Sequence, residues 1–226
     1  MLLLNLFSNK VTLAISTLED GNMRAFSDNE FETVLENQSK LSITLGTTAD
    51  KTARVLTTYD NRKSFTEYYS VDSNSIAEHV ITKPESDLKL ADGLITKEDY
   101  ALLLPLADCL GVVVYDEAQG ILGLLHSGRQ NLEEDGAFKF AEQLKTEFGS
   151  KPEDLKIYFT PHAQNFEIFK LNNVKLSEAA EEQLLHAGVK PENIERSDID
   201  TVSNGQFPSN SAGDKTTRFA VAVRLS

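Results

Sequence analysis

The sequence predicts an α+β fold, a single domain with mixed sheets, and three observations carry that reading. The chain has 226 residues, enough for one packed core, and no repeat, low-complexity segment or linker divides it. Apolar runs of strand length alternate both with hairpin turns and with helical segments, so antiparallel and parallel pairings are expected together. At the centre, Ala101–Leu106, Gly111–Tyr115 and Ile121–Leu125 are nearly continuous apolar runs, as in strands covered on both faces.

The elements follow in order. Met1–Phe7 is apolar but short, with no basic start and no small-residue cleavage site, and reads as a strand rather than a signal peptide. Val11–Ile15 reads as a second strand. Ser27-Asp-Asn-Glu30 is a capping-box pattern, opening a helix with Phe31, Val34, Leu35 and Leu41 on one face. Short strands are expected near Ala53–Tyr59, Phe65–Val71 and Ile76–Thr82, then a polar loop over Lys83–Lys89. Asp116–Gly120 joins two central runs as a hairpin turn. A helix is expected from Leu132 to Phe148, with Ala137, Phe140, Ala141, Leu144 and Phe148 inward and Gly149 and Pro152 as its stop. Lys156–Phe159 reads as a strand, and Leu176–His186 as a helix closed by Gly188. Ile194–Thr201 and Phe219–Leu225 read as strands flanking a Ser/Asn/Gly-rich loop over Ser203–Gly213.

Charge narrows the function. Twenty-two basic against 35 acidic residues give a net charge of −13. Nucleic acid and anionic membrane are poor partners for such a chain, because their phosphates must be neutralised. A small anion would need a local basic pocket. No stretch approaches the roughly 20 apolar residues of a membrane span. A lone cysteine excludes an internal disulfide and suits a reducing, cytoplasmic setting.

That cysteine, Cys109, ends Ala101-Leu-Leu-Leu-Pro-Leu-Ala-Asp-Cys109, and His126 follows seventeen positions later in His126-Ser-Gly-Arg-Gln-Asn131. Both sit where apolar runs end, so a scaffold holds them at a rim. Asp108 beside Cys109 disfavours a bare thiolate; a bound cation or a histidinium would reverse that. Against the functional reading stands an inert buried thiol and a backbone-bonded histidine. Ser127 and Gly128 lie between a strand and a helix, where backbone N–H groups can approach an anion, although Glu133, Glu134 and Asp135 already complement that helix's dipole. Catalytic zinc takes three protein ligands, and Asp72, His79 and His162 are the candidates for the third. His186, in a last helical turn, reads as a dipole complement. Arg129, Lys215 and Arg218 are the cations nearest these motifs.

The centre of the chain resembles the laccase-domain family, also called multicopper polyphenol oxidase or YfiH-like. The resemblance lies in Ala91-Asp-Gly-Leu-Ile-Thr96, Leu106-Ala-Asp-Cys-Leu110, the strand pair Val112–Tyr115 and Ile121–Leu125, and His126-Ser-Gly128, with the family's Cys-to-His separation. Weaker echoes run from Ile15-Ser-Thr17 to Thr217-Arg-Phe219. The resemblance implies a four-layer α-β-β-α sandwich and a zinc held by Cys109, His126 and a further ligand. Asp72 occupies the position of the family's first histidine, with His79 as the alternative under a register shift. It also implies purine nucleoside and phosphate as substrates: phosphorolysis of adenosine, inosine, guanosine or methylthioadenosine, or deamination of adenosine. Copper chemistry is not expected from four histidines, one cysteine and two methionines. Leu18, Arg129-Gln130 and Asn210-Ser-Ala212 depart from family positions that carry basic residues, which weakens the expected grip on phosphate.

Three functions follow. The first is a zinc-dependent purine nucleoside enzyme with Asp72, Cys109 and His126 on the metal, Asp108 as acid–base or supporting group, and Arg129, Ser127 and Gly128 toward the anion. The second is a non-catalytic member of the fold, a binding or interaction module. The third is a metal-free Cys–His hydrolase, Cys109 as nucleophile and His126 as base. The oligomeric state is not set by the sequence.

Overall fold

The computed structural model describes residues 1–58 and 62–226. The strands are β1 (Leu2–Leu6), β2 (Val11–Ile15), β3 (Thr52–Arg54), β4 (Tyr68–Val71), β5 (Gly93–Thr96), β6 (Ala101–Leu106), β7 (Leu110–Asp116), β8 (Ile121–Ser127), β9 (Lys156–Phe159), β10 (Glu167–Ile168), β11 (Val174–Lys175), β12 (Ile194–Arg196) and β13 (Phe219–Leu225). The helices are α1 (Phe31–Thr44), α2 (Ile76–His79), α3 (Arg129–Glu133), α4 (Gly136–Phe148), α5 (Leu176–Ala187) and α6 (Thr201–Asn204). Both large sheets are mixed. One is ordered β1-β2-β13-β6-β3, the other β12-β9-β7-β8-β5-β4, and β10 and β11 form a small hairpin.

Burial explains the layering. Alternate residues of the five-stranded sheet, among them Leu13, Leu104 and Val221, pack on Leu94, Val113 and Leu124 of the six-stranded sheet. The other face of the five-stranded sheet is built of small residues, Ala14, Ala101, Ala220 and Ala222, which let α1 approach through Leu41 and Leu45. The other face of the six-stranded sheet meets α4 and α5 through Phe140, Leu144, Leu176 and Leu184. Each central strand thus has both faces covered, as its continuous apolar character required.

The structure corrects several expected elements. Ile76–Thr82 is not a strand. The Asp72 carboxylate accepts from the backbone N–H groups of Asn74 and Ser75, and Ile76 N–H reaches Asp72 O, which winds the chain into α2. The strand expected over Ala53–Tyr59 is reduced to Thr52–Arg54, and its end at Tyr59 lies outside the described residues. Ile194–Thr201 keeps only three strand residues before Asp200 caps α6 through Val202 N–H. The helix expected over Leu132–Phe148 is two helices, broken at Asp135 (φ 59°). Asn131 is pressed onto Gly136 so closely that a Cβ there would lie 2.1 Å from its Oδ1. On α1 the buried face includes polar Asn37 and Gln38, which donate to the carbonyls of Asn22 and Met23.

Candidate functional site

Register puts the site together. In the β7–β8 hairpin Gly111 pairs with His126 and Leu110 with Ser127, so Cys109 falls opposite Gly128 at the same end. Gly93 of β5 pairs with Leu125 of β8, which sets Asp92 beside His126. Cys109 also ends the three-residue link Ala107-Asp108-Cys109, by which the chain passes from β6 in one sheet to β7 in the other. Asp108 turns that link with φ 70°, a left-handed conformation few side chains adopt.

His126 is held on two sides. Its Nδ1 lies 3.0 Å from Asp92 Oδ1, and its backbone N–H donates to Asp92 O at 2.6 Å. The Asp92 bond occupies Nδ1 and leaves Nε2 toward Cys109. Gly128 completes the cradle: a Cβ there would stand 3.1 Å from His126 Nε2 and 3.3 Å from Cys109 Sγ. The glycine of His126-Ser-Gly128 is therefore needed for close approach, at an ordinary φ of −87°. Asp92 in turn takes an ion pair from Arg62, both side chains 1% exposed. Arg62 also lies 4.7 Å over the Phe65 ring and donates to Ser64 O. Burial alone would lower the His126 pKa, but the charge of Cys109 and the hydrogen bonds to Asp92 and Cys109 outweigh it and raise it.

Cys109 and His126 open into a cavity of about 400 Å³, a size suited to a small ligand. Asp108, Arg129 and Asn210 line it, and so do Arg24, Arg218, Phe166 and Leu176. Asp108 is committed to structure. Its Oδ1 accepts from Thr201 Oγ1 at 2.8 Å and its Oδ2 from Ser211 N–H at 2.6 Å, which ties the loop before β13 to the rim. Ser127 does not reach the cavity; it is fully buried and its Oγ has no partner among the described residues. Lys215 does not line it and donates to Asn210 O.

The expected third ligands are elsewhere. Asp72 follows Val71, whose neighbours across the sheet are Thr96 and then Leu122. That is the opposite end of the sheet from His126, about 15 Å along the strands. Its Oδ1 accepts from Asn74 N–H, Ser75 N–H and Ser75 Oγ. His79 is buried against Tyr69, ring centroids 5.3 Å apart. His162 bonds Thr160 O through Nδ1 and does not line the cavity. Among the described residues no three His, Cys, Asp or Glu form a metal-holding group. Cys109 and His126 still offer the N/S donor chemistry zinc favours, with Asp92 fixing the second ring nitrogen as carboxylates do behind ligating histidines.

Sequence reasoning missed Asp92, Arg62 and Arg24. Asp92 stood in a quoted motif without a role. Only strand pairing across more than thirty residues shows what it touches.

The sequence profile of the multi-copper polyphenol oxidoreductase laccase family matches residues 11–172, most of the chain and all of the Cys109–His126 region. The chain belongs to this family. Curated proteins similar to it carry another name. A purine nucleoside phosphorylase of Clostridium acetobutylicum is 28% identical over 110 residues, 46% of this chain and 47% of that protein. A purine nucleoside phosphorylase of Borreliella burgdorferi is 34% identical over 119 residues, 48% and 49% of the two chains. The chain spans about half the length of the curated relatives it matches. The crystal structure of the hypothetical protein YfiH from Bacillus licheniformis has the same fold, with a TM-score of 0.85 at 20% identity, covering 96% of this chain and 94% of that one. Among the described residues no helix is long and apolar enough to cross a membrane.

Proposed function

We propose that this family member is a purine nucleoside enzyme that cleaves the glycosidic bond by phosphorolysis. One observation carries the reading: in a chain of net charge −13, three arginines, Arg24, Arg129 and Arg218, line the same cavity as Cys109 and His126. The names of the two curated relatives support it. In this reaction a phosphate oxygen bonds to C1′ of the ribose, the C1′–N9 bond breaks, and the purine leaves with the bonding pair and takes up a proton. The arginines counter the charge of the attacking anion, which the acidic protein would otherwise repel. Phe166 and Leu176 give the base an apolar wall. Asp92 and Arg62 hold His126 in one orientation, so that Nε2 and Cys109 Sγ present a fixed pair to the cavity. Cys109 and His126 would hold a zinc ion, which supplies a Lewis acid when bound.

Incubation with adenosine, inosine, guanosine and methylthioadenosine tests the reading, with free base and ribose 1-phosphate quantified. Base release that requires phosphate and disappears in Cys109→Ala is expected. Release without phosphate, or none from any of the four, sinks it. Zinc content is a separate measurement: less than about a tenth of an equivalent, unchanged in Cys109→Ala, removes the metal from the proposal.

The row Asp92–His126–Cys109, in which Asp92 holds a buried His126 beside the half-buried thiol, favours a second reading, the metal-free Cys–His hydrolase. Turnover that persists in metal-free protein and stops on thiol alkylation would select it.

A further inference from the structure

We infer that the cavity holding Cys109 and His126 runs on past Phe166 into a second recess, and that this recess admits an aromatic substituent on the six-membered ring of a purine riboside. The inference rests on the nucleoside reading and names the substrate class within it. The second recess has a volume of about 330 Å³. Phe166, Arg129 and Gln130 line both spaces, so the two are continuous. Cys109, His126 and Asp108 line only the first. A purine lying on Phe166 with its glycosidic bond toward Cys109 and His126 turns its six-membered ring away from them, because N9 belongs to the other ring. A substituent on that far ring then leads into the recess.

Two segments build the recess and are fastened together. The turn between β10 and β11 supplies Phe169 and Lys170, and α3 supplies Glu133. Lys170 Nζ lies 2.8 Å from Glu133 Oε2, which joins the hairpin to α3. Ile168 is wholly buried in the core, and Leu176 N–H donates to Phe166 O at 3.2 Å across the base of the hairpin. Phe169 nevertheless stands 85% exposed in this anchored segment. A ring so placed, sharing a concave surface with the Phe166 ring, offers offset or edge-on contact to a further aromatic group, and little ordering remains to be done on binding. Charge does not compete with that contact. Arg129 and Lys170 stand against Glu133 and Glu167, two charges of each sign, and Lys170 and Glu133 already satisfy each other. The recess therefore selects neither an anion nor a cation, and the apolar area of Phe166 and Phe169 decides what it takes.

Calorimetric titration of the whole protein with adenosine and with N6-benzyladenosine tests the inference. The benzyl riboside is expected to bind wild type at least about fivefold more tightly than adenosine. Phe169→Ala, at a position too exposed to carry the fold, should abolish that preference and change adenosine affinity by under about twofold, while Phe169→Tyr should keep it. A benzyl riboside that binds no better than adenosine, or a preference unchanged in Phe169→Ala, overturns the inference and spares the nucleoside reading. Binding of neither riboside overturns both. Sedimentation of the same proteins examines the rival occupant of the exposed ring. A wild-type dimer that becomes a monomer in Phe169→Ala gives the ring to a second copy of the chain and overturns the inference as well.

Discussion

The two ends of the six-stranded sheet use the same residue type in opposite ways. At one end Asp72 and Asp116 spend their carboxylates on the next turn of their own chain, Asp72 on Asn74 and Ser75, Asp116 on Ala118 and Gln119. At the other end Asp92 reaches His126 and Arg62, and Asp108 reaches Thr201 and Ser211, each from a distant segment. A carboxylate that satisfies its own turn ends an element and needs nothing else from the fold. One that is satisfied from afar fixes side chains from several segments against each other, which is what a site requires.

The largest effect expected from breaking this contrast is at Asp92. Asp92→Ala leaves the Arg62 guanidinium buried and uncompensated, a loss of about 3–5 kcal/mol by the usual cost of splitting a buried pair. Denaturant unfolding measures it, and turnover should fall with it because His126 loses its orientation. A loss under about 1 kcal/mol would mean the pair is not buried as described. Asp108→Ala comes next. It strands Thr201 Oγ1 and Ser211 N–H for about 1–3 kcal/mol. Proteolysis should then report loosening of the loop before β13, with Cys109 still in place.

How far the sequence revealed these ends depends on how local each contact is. The hairpin was legible, since apolar runs flanking Asp116–Gly120 fix the pairing and thereby bring Cys109 and His126 to one end. The mixed sheets and the interior strands were legible for the same reason. Asp92 as the partner of His126 was not, because it depends on β5 pairing with β8, and neither was Arg24, whose neighbour Asn22 is tied to Arg218 near the far end of the chain. Asp72 shows the converse error. The run Asp72-Ser-Asn-Ser75 carries turn chemistry that can be read directly, and the alignment to a ligand position overrode it. The strand expected at Ile76–Thr82 failed likewise, and the one expected at Ile194–Thr201 was cut to three residues, both by side-chain caps that only a short range of residues specifies.

Asp72→Ala therefore isolates the local kind of carboxylate. It should cost about 0.5–2 kcal/mol, the range for losing a cap, and leave zinc content, phosphate affinity and turnover at wild-type values. A drop in bound metal in this variant alone would return Asp72 to the ligand set and contradict its position at the far end of the sheet.

The subtlest expected effect concerns a histidine without a carboxylate partner. His126 is gripped by Asp92, whereas His79 is buried on Tyr69 and its Nδ1 has no partner among the described residues. Burial pushes the His79 pKa below the usual histidine value; Glu78 opposes this and Lys89 and Lys83 add to it. The sign follows from linkage. Above about pH 6.5 His79 is neutral in folded and unfolded chains alike and contributes no slope. As pH falls below that value the unfolded chain takes up a proton the folded one refuses, and stability declines until the folded pKa is passed. Denaturant midpoints measured between pH 7.5 and 5 should decline toward acid in the wild type and less steeply in His79→Leu. An identical pH slope in the two proteins would show that His79 accepts its proton in place, and that the far end of the sheet is as hospitable to charge as the end that holds His126.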